Sequence, residues 1–190
     1  MKKIRLAILA SLNGTNANAI MQKFHNSDFA EVVCLGSDRE SAKALEKAEN
    51  NNVPNFFIKG KNLEREKFDQ LLITELEKYK PDWIILAGYM KILSKEFVNF
   101  YSQKILNIHP SLLPDFPGKN SYEEIYNNQN AKPGITVHLV DEGVDTGKIL
   151  AQFKYQKIPN ESFIDFKNRG LQFENQFYPE IIEKIIKGEL

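Results

Sequence analysis

The sequence predicts an α/β fold: one domain over residues 1–190, built on a mostly parallel twisted sheet flanked by helices and ending in an antiparallel portion. Three observations predict it. Short β-branched runs alternate with longer segments of helical period, which is the pattern of strands joined by crossover helices. The last two strand-like runs are joined only by Asp141 to Lys148, too short for a helical crossover, so they pair antiparallel. A chain of 190 residues can also bury a full core without disulfides or a structural metal.

The predicted strands are Ile4 to Ala10, Glu31 to Leu35, Asn55 to Ile58, Trp83 to Ala87, Ile105 to His109, Ile135 to Val140 and Ile149 to Tyr155. Helices are expected over Ala17 to Phe24, Glu40 to Glu49, Glu64 to Tyr79 and Ser94 to Phe100, with Asp38 capping the second and Asn62 the third. From Pro110 to Pro133 the chain is rich in Pro, Gly and Asn and too long for an ordinary connection, which suggests a functional loop. A last helix is expected from Ser162 to Lys187, bent at Pro179, with Phe163, Phe166, Phe173 and Phe177 on its core stripe.

Composition narrows the function. Lys plus Arg and Asp plus Glu number 25 each, so no charge excess draws the chain to nucleic acid or to an anionic membrane, and a small-molecule partner is expected. Cys34 is the sole cysteine and lies in an apolar run, so it reads as inert core. Arg5 interrupts the first apolar run and no small-residue cleavage pattern follows it. No stretch approaches the roughly 18 apolar residues of a membrane span. The expectation is a soluble, cytoplasmic protein.

Three segments can carry chemistry. Asn13-Gly14-Thr15-Asn16 joins the first strand to a helix, where free backbone N–H groups and the positive end of the helix dipole suit an anion, although the same residues also make ordinary turns and caps. No P-loop lysine or dinucleotide glycine triplet accompanies it. Asn107 and His109 lie two apart at the end of a strand, so they share a face before Pro110 stops the ladder. Ligands of open α/β sheets bind beyond strand carboxyl ends, though such a pair can also merely close a turn. The turn between the last two strands offers Asp141, Glu142 and Asp145, among which spacing does not choose.

Asn107-Ile108-His109-Pro110-Ser111-Leu112-Leu113-Pro114 resembles the signature of the folate-dependent formyltransferases, and Asp141-Glu142-Gly143-Val144-Asp145-Thr146-Gly147 resembles their second signature. Leu86-Ala87-Gly88-Tyr89-Met90-Lys91-Ile92-Leu93 is similar to the family's folate-binding segment, and Asn13 to Asn16 to the phosphate loop of its glycinamide ribonucleotide branch. The resemblance implies a Rossmann-like fold and transfer of a formyl group from 10-formyltetrahydrofolate to the amine of N1-(5-phosphoribosyl)glycinamide in purine synthesis. It implies Asn107, His109 and Asp145 as catalytic residues, with Asp145 keeping His109 protonated as a donor to the oxyanion. It places the acceptor's phosphate and ribose on Gly14, Thr15, Asn16 and Glu174, and the folate on Arg65, Met90, Lys91, Ile92, Leu93 and Asn107. The partners implied are these two small molecules, with no metal, nucleic acid or membrane, and a homodimer is compatible with them. His138, mid-strand, is expected as core or support and His25 as a helix end.

Two positions depart from the family pattern, Lys91 and Asn120, the latter occupied by histidine in most relatives of that branch. With no histidine there, the pH dependence is expected to rest on His109 and Asp145. Phe116-Pro117-Gly118 resembles the ribonucleotide branch, where the sugar-nucleotide and tRNA branches tend to carry arginine before glycine. The competing readings are a formyltransferase acting on an amino-sugar nucleotide and a non-catalytic folate- or nucleotide-binding module.

Overall fold

The computed structural model describes residues 2–60 and 63–190. Its strands are β1 (Ile4–Leu9), β2 (Ala30–Ser37), β3 (Asn55–Phe57), β4 (Trp83–Leu86), β5 (Ile105–His109), β6 (Gly134–Leu139) and β7 (Ile149–Lys154). The helices are α1 (Thr15–Phe24), α2 (Lys43–Asn50), α3 (Arg65–Glu77), α4 (Lys95–Phe100), α5 (Ser121–Asn127) and α6 (Phe163–Ile186). The strands follow the order β3-β2-β1-β4-β5-β6-β7 in a mostly parallel sheet. The chain divides into two compact units, residues 1–106 and 107–190.

In the first unit β1 pairs parallel to both β2 and β4, and β2 parallel to β3. From Leu6 onward β1 is apolar because both its neighbours are strands and both its faces are covered, and Leu6 to Ala10 are wholly buried. Each such residue contributes on the order of 1.5–3 kcal/mol of burial where a large aliphatic or aromatic side chain is involved. Cys34 lies in this core, its thiol pushed up to about 12, first by burial, so it is inert as expected. Adjacent strands β1 and β4 flank the point where strand order reverses, the place at which open α/β sheets receive ligands. Asp38 does not cap the second helix. That helix begins at Lys43 with Ala42 as its cap, because Ser37 Oγ accepts the Arg39 N–H at 3.1 Å and turns the chain first. Asn62 lies outside the described residues.

In the second unit β6 and β7 form the expected antiparallel pair. The register slips between Val137 and His138, leaving Leu150 as the extra residue of a bulge. Residues 110–133 are not one long loop: they contain α5, whose Ser121 and Ile125 are buried. Proline- and glycine-rich flanks hid a helix of only seven residues. α6 starts where Ser162 Oγ accepts the Asp165 N–H at 3.1 Å, and it continues through the buried Pro179. Of its four phenylalanines Phe166 is fully buried, while Phe163, Phe173 and Phe177 are half-buried against Tyr126, Phe153 and Tyr155. No helix among the described residues is long and apolar enough to cross a membrane.

Candidate functional site

The second unit gathers the predicted catalytic side chains from the end of β5 and the turn between β6 and β7. His109 Nδ1 lies 3.3 Å from Asp145 Oδ2, and Asn107 Nδ2 is 3.4 Å from Asp145 Oδ1. Alternation along β5 supplies Asn107 and His109. Asp145 reaches them from a left-handed backbone conformation, φ +54, that aspartate tolerates better than most residues. It is thus the structure that chooses among the three acids. Asp141 is exposed, and its Oδ1 instead closes the turn by accepting the Gly143 N–H at 3.0 Å and the Thr146 hydroxyl at 2.7 Å. Glu142 is also exposed.

His138 belongs to this cluster, and not merely to the core. It is 2% exposed. Its Nδ1 lies 2.8 Å from the Leu139 carbonyl, which only accepts, so Nδ1 carries the hydrogen and Nε2 of the neutral ring accepts from Asn107 Nδ2 at 3.2 Å. Nε2 also stands 3.6 Å from Asp145 Oδ1. The available signal was period two, which puts His138 on one face of β6 with Thr136; the bulge before it could not be read from the sequence. Both amide hydrogens of Asn107 are therefore engaged, one by His138 and one, at longer range, by Asp145.

His109 is 4% exposed. Its Nε2 donates to the Phe116 carbonyl at 2.8 Å, and Ser121 Oγ sits 3.0 Å from the same nitrogen while its hydroxyl donates to the Gly118 carbonyl at 2.9 Å. The Gly118 N–H donates to Asp145 Oδ2 at 2.8 Å, from a φ of +87 that favours glycine. The loop is itself held: Thr136 Oγ donates to the Ser111 carbonyl at 2.7 Å and accepts the Leu113 N–H at 3.1 Å. Ser121, Phe116 and Gly118 were missed as contributors because two of the three act through backbone atoms, which residue type does not advertise.

Electrostatics overturn one expectation. Asp145 feels burial most strongly, which raises its pKa, but the adjacent His138 ring, the Gly118 N–H hydrogen bond and the neighbouring His109 hold it below the ordinary aspartate value. It is the anion of the cluster. For His109, burial outweighs the Phe116 carbonyl and Asp145, so its pKa falls below the ordinary histidine value instead of being raised. The ring is neutral at neutral pH, yet its Nδ1 faces a carboxylate that would hold a proton as soon as one arrived. The site can accept a proton transiently, which suits general base and acid chemistry.

Glu174 is buried, and the Tyr122 hydroxyl donates to its Oε1. His25 is an exposed helix end, as expected.

In the first unit Gly14 is the cap of α1 at φ +65, and an added Cβ would lie 2.6 Å from Ala44 Cβ, so backbone conformation and space both require glycine. Thr15 and the buried Asn16 follow in the first turn. The Ser11 N–H donates to the Gly88 carbonyl at 3.1 Å and Ser11 Oγ accepts the Met90 N–H at 2.8 Å, tying the loop after β1 to that after β4. Lys91 Nζ lies 4.3 Å above the Phe68 ring; Ile92 is exposed and Leu93 buried. Arg65 is exposed at the start of α3, and it and Lys91 both lower the pKa of Asp69, whose stronger influence is burial. Arg65 and Lys91 thus share one neighbourhood. A cavity of about 690 Å³ opens beside it, lined by Arg39, Phe57, Lys59 and Lys91 among others. Among the described residues, no group of three or more His, Cys, Asp or Glu is placed to hold a metal ion.

The model of the formyl transferase family matches residues 4–182. Phosphoribosylglycinamide formyltransferase of Bacillus subtilis is 36% identical over 188 residues, covering 98% of this chain and 95% of its own. The enzyme of that name from Haemophilus influenzae is 37% identical over 192 residues, covering 100% and 90%. The crystal structure of glycinamide ribonucleotide transformylase 1 from Geobacillus kaustophilus superposes with a TM-score of 0.92 at 38% identity, over 97% of this chain and 100% of that one. With a match that runs through β1, the Asn107–His109 strand end, the Asp145 turn and α6, the chain belongs to the formyl transferase family.

Proposed function

We propose that this protein transfers the formyl group of 10-formyltetrahydrofolate to the amine of glycinamide ribonucleotide, as one formyltransferase domain over residues 1–190 acting in the cytoplasm. The observation that carries the reading is the set of buried His109 with half-buried Asn107 and Asp145, drawn within hydrogen-bonding reach in a chain of this family.

The neutral acceptor amine attacks the formyl carbon, forming a C–N bond and a tetrahedral intermediate with negative charge on oxygen. His109, neutral in the free site, takes a proton from the amine and Asp145 stabilises the imidazolium so formed. The same proton goes to the departing folate nitrogen as its bond to carbon breaks, giving the formylated ribonucleotide and tetrahydrofolate. Asn107 donates to the oxyanion by exchanging its long 3.4 Å bond to Asp145, the weaker of its two, while His138 at 3.2 Å keeps the amide oriented. Gly14, Thr15 and Asn16 take the acceptor phosphate on the start of α1, and Glu174 accepts from the ribose hydroxyls. Arg65 and Lys91 hold the folate's carboxylates, with Met90, Ile92 and Leu93 lining its path.

Radiolabelled formyl transfer to glycinamide ribonucleotide, with an amino-sugar nucleotide as control acceptor, tests this directly. Transfer to the sugar nucleotide alone would overturn the acceptor, and transfer to neither would leave a binding module. No metal takes part in the proposed steps, so activity should survive dialysis against a chelator.

A further inference from the structure

Tyr122 and Gly170 form a seat for Glu174 that none of the catalytic steps uses. Tyr122 lies in the first turn of α5, next to Ser121, whose hydroxyl oxygen contacts His109 Nε2. Its ring crosses to α6, where Gly170 stands one helical turn before Glu174. A Cβ added at Gly170 would lie 2.5 Å from Tyr122 Cε1, 2.6 Å from Oη and 2.9 Å from Cζ. Gly170 has an ordinary negative φ, so glycine stands there for space, not for backbone freedom. The space is filled by a phenol that hands its hydrogen to Glu174 Oε1. Burial and the Glu174 charge push the Tyr122 pKa far up, so the phenol remains a donor across the whole working pH range. The ring is locked further by an edge-to-face contact with Phe166, with centroids 6.0 Å apart.

From this geometry we infer that Tyr122 is a positioning residue for acceptor recognition: it fixes the Glu174 carboxylate by one oxygen and so aims the group that receives vicinal hydroxyls, with Gly170 as the gap that admits the ring. The inference rests on the proposed reading of Glu174 as the ribose-binding carboxylate. A carboxylate on a helix has several rotamers, and a ligand that binds through two adjacent hydroxyls needs one of them. The hydrogen bond selects that rotamer before the ligand arrives. Because Ser121 and Tyr122 are consecutive, α5 ties the placement of this carboxylate to the loop that contacts the catalytic histidine.

The test is Tyr122→Phe, which keeps the ring and removes the donor. KM for glycinamide ribonucleotide, and its Kd by calorimetry without folate, should each rise about tenfold, the size of one hydrogen bond to a charged group. kcat and KM for the folate should move less than twofold, a split that general loosening of the fold would not produce. Gly170→Ala retains the hydroxyl but displaces the ring, and should raise the same KM. In Glu174→Gln, adding Tyr122→Phe should cost little more, since the two act as a unit. An unchanged Kd in folded Tyr122→Phe, with the wild type active on the ribonucleotide, overturns the inference alone. A wild type that does not bind or formylate the ribonucleotide overturns the proposed function itself.

Discussion

The two units build their candidate site residues differently. In residues 107–190 the polar groups are side chains packed out of water and bonded to one another: His109 and His138 are almost wholly buried and converge on a single carboxylate. In residues 1–106 the corresponding features are the start of α1 at Gly14 to Asn16 and the cations Arg65, exposed, and Lys91, half-buried, with Gly14, Gly88 and the Ser11 hydroxyl setting the course of the loops. Burial without water makes electrostatic effects large and shifts pKa values, as a transition state requires. A helix start and cations suit charge that a ligand already carries. Under the proposed function the catalytic groups Asn107, His109 and Asp145 all fall in the second unit, and the first supplies phosphate and folate contacts.

The sharpest way to break this contrast is to remove the candidate catalytic groups. His109→Ala and Asp145→Ala should each lower kcat by at least about a hundredfold with far-UV circular dichroism unchanged, and Asn107→Ala by about a hundredfold. A folded His109→Ala protein with most of its turnover would move the chemistry elsewhere. In the first unit, Gly14→Ala meets both Ala44 and an unfavourable φ. It should cost roughly 1–2 kcal/mol of stability and raise KM for the acceptor about tenfold while sparing kcat. Loss of kcat alone would overturn the binding role proposed for Gly14.

Proton linkage gives a smaller effect of fixed sign. With its folded pKa below the ordinary 6.5, His109 binds fewer protons in the folded than in the unfolded state across the window between those values. Stability therefore rises with pH through that window and levels off above it. Asp145, depressed below 3.8, contributes stability that is present above that value and lost as pH falls through its folded pKa. Denaturant titrations of wild type and His109→Gln from pH 7 down to pH 5 should show the shallower dependence in the variant; equal slopes would refute burial as the dominant influence. kcat/KM should fall on the acid side as His109 is protonated. His109 would titrate there in contact with Asp145, which His138 also faces.

The smallest expected effect is at Asn120. It is exposed at the start of α5 and its side chain makes no capping bond. Asn120→Ala should leave the pH profile of turnover unchanged. A moved apparent pKa would bring it into the catalytic set.

What was legible in the sequence was local. Strand alternation places Asn107 and His109 on one face, and β5 spans the predicted residues; the short Asp141–Lys148 link is enough to make β6 and β7 antiparallel. The helix α5 was hidden because seven residues between glycine, proline and asparagine carry too few turns to show a period. The choice of Asp145 over Asp141 and Glu142, the entry of His138 into the cluster and the direction of the His109 pKa were decided only by tertiary structure. Each depends on groups brought together across more than 25 residues of chain, on a bulge that slips the hairpin register, and on desolvation, which sums over every neighbour in space and none in sequence.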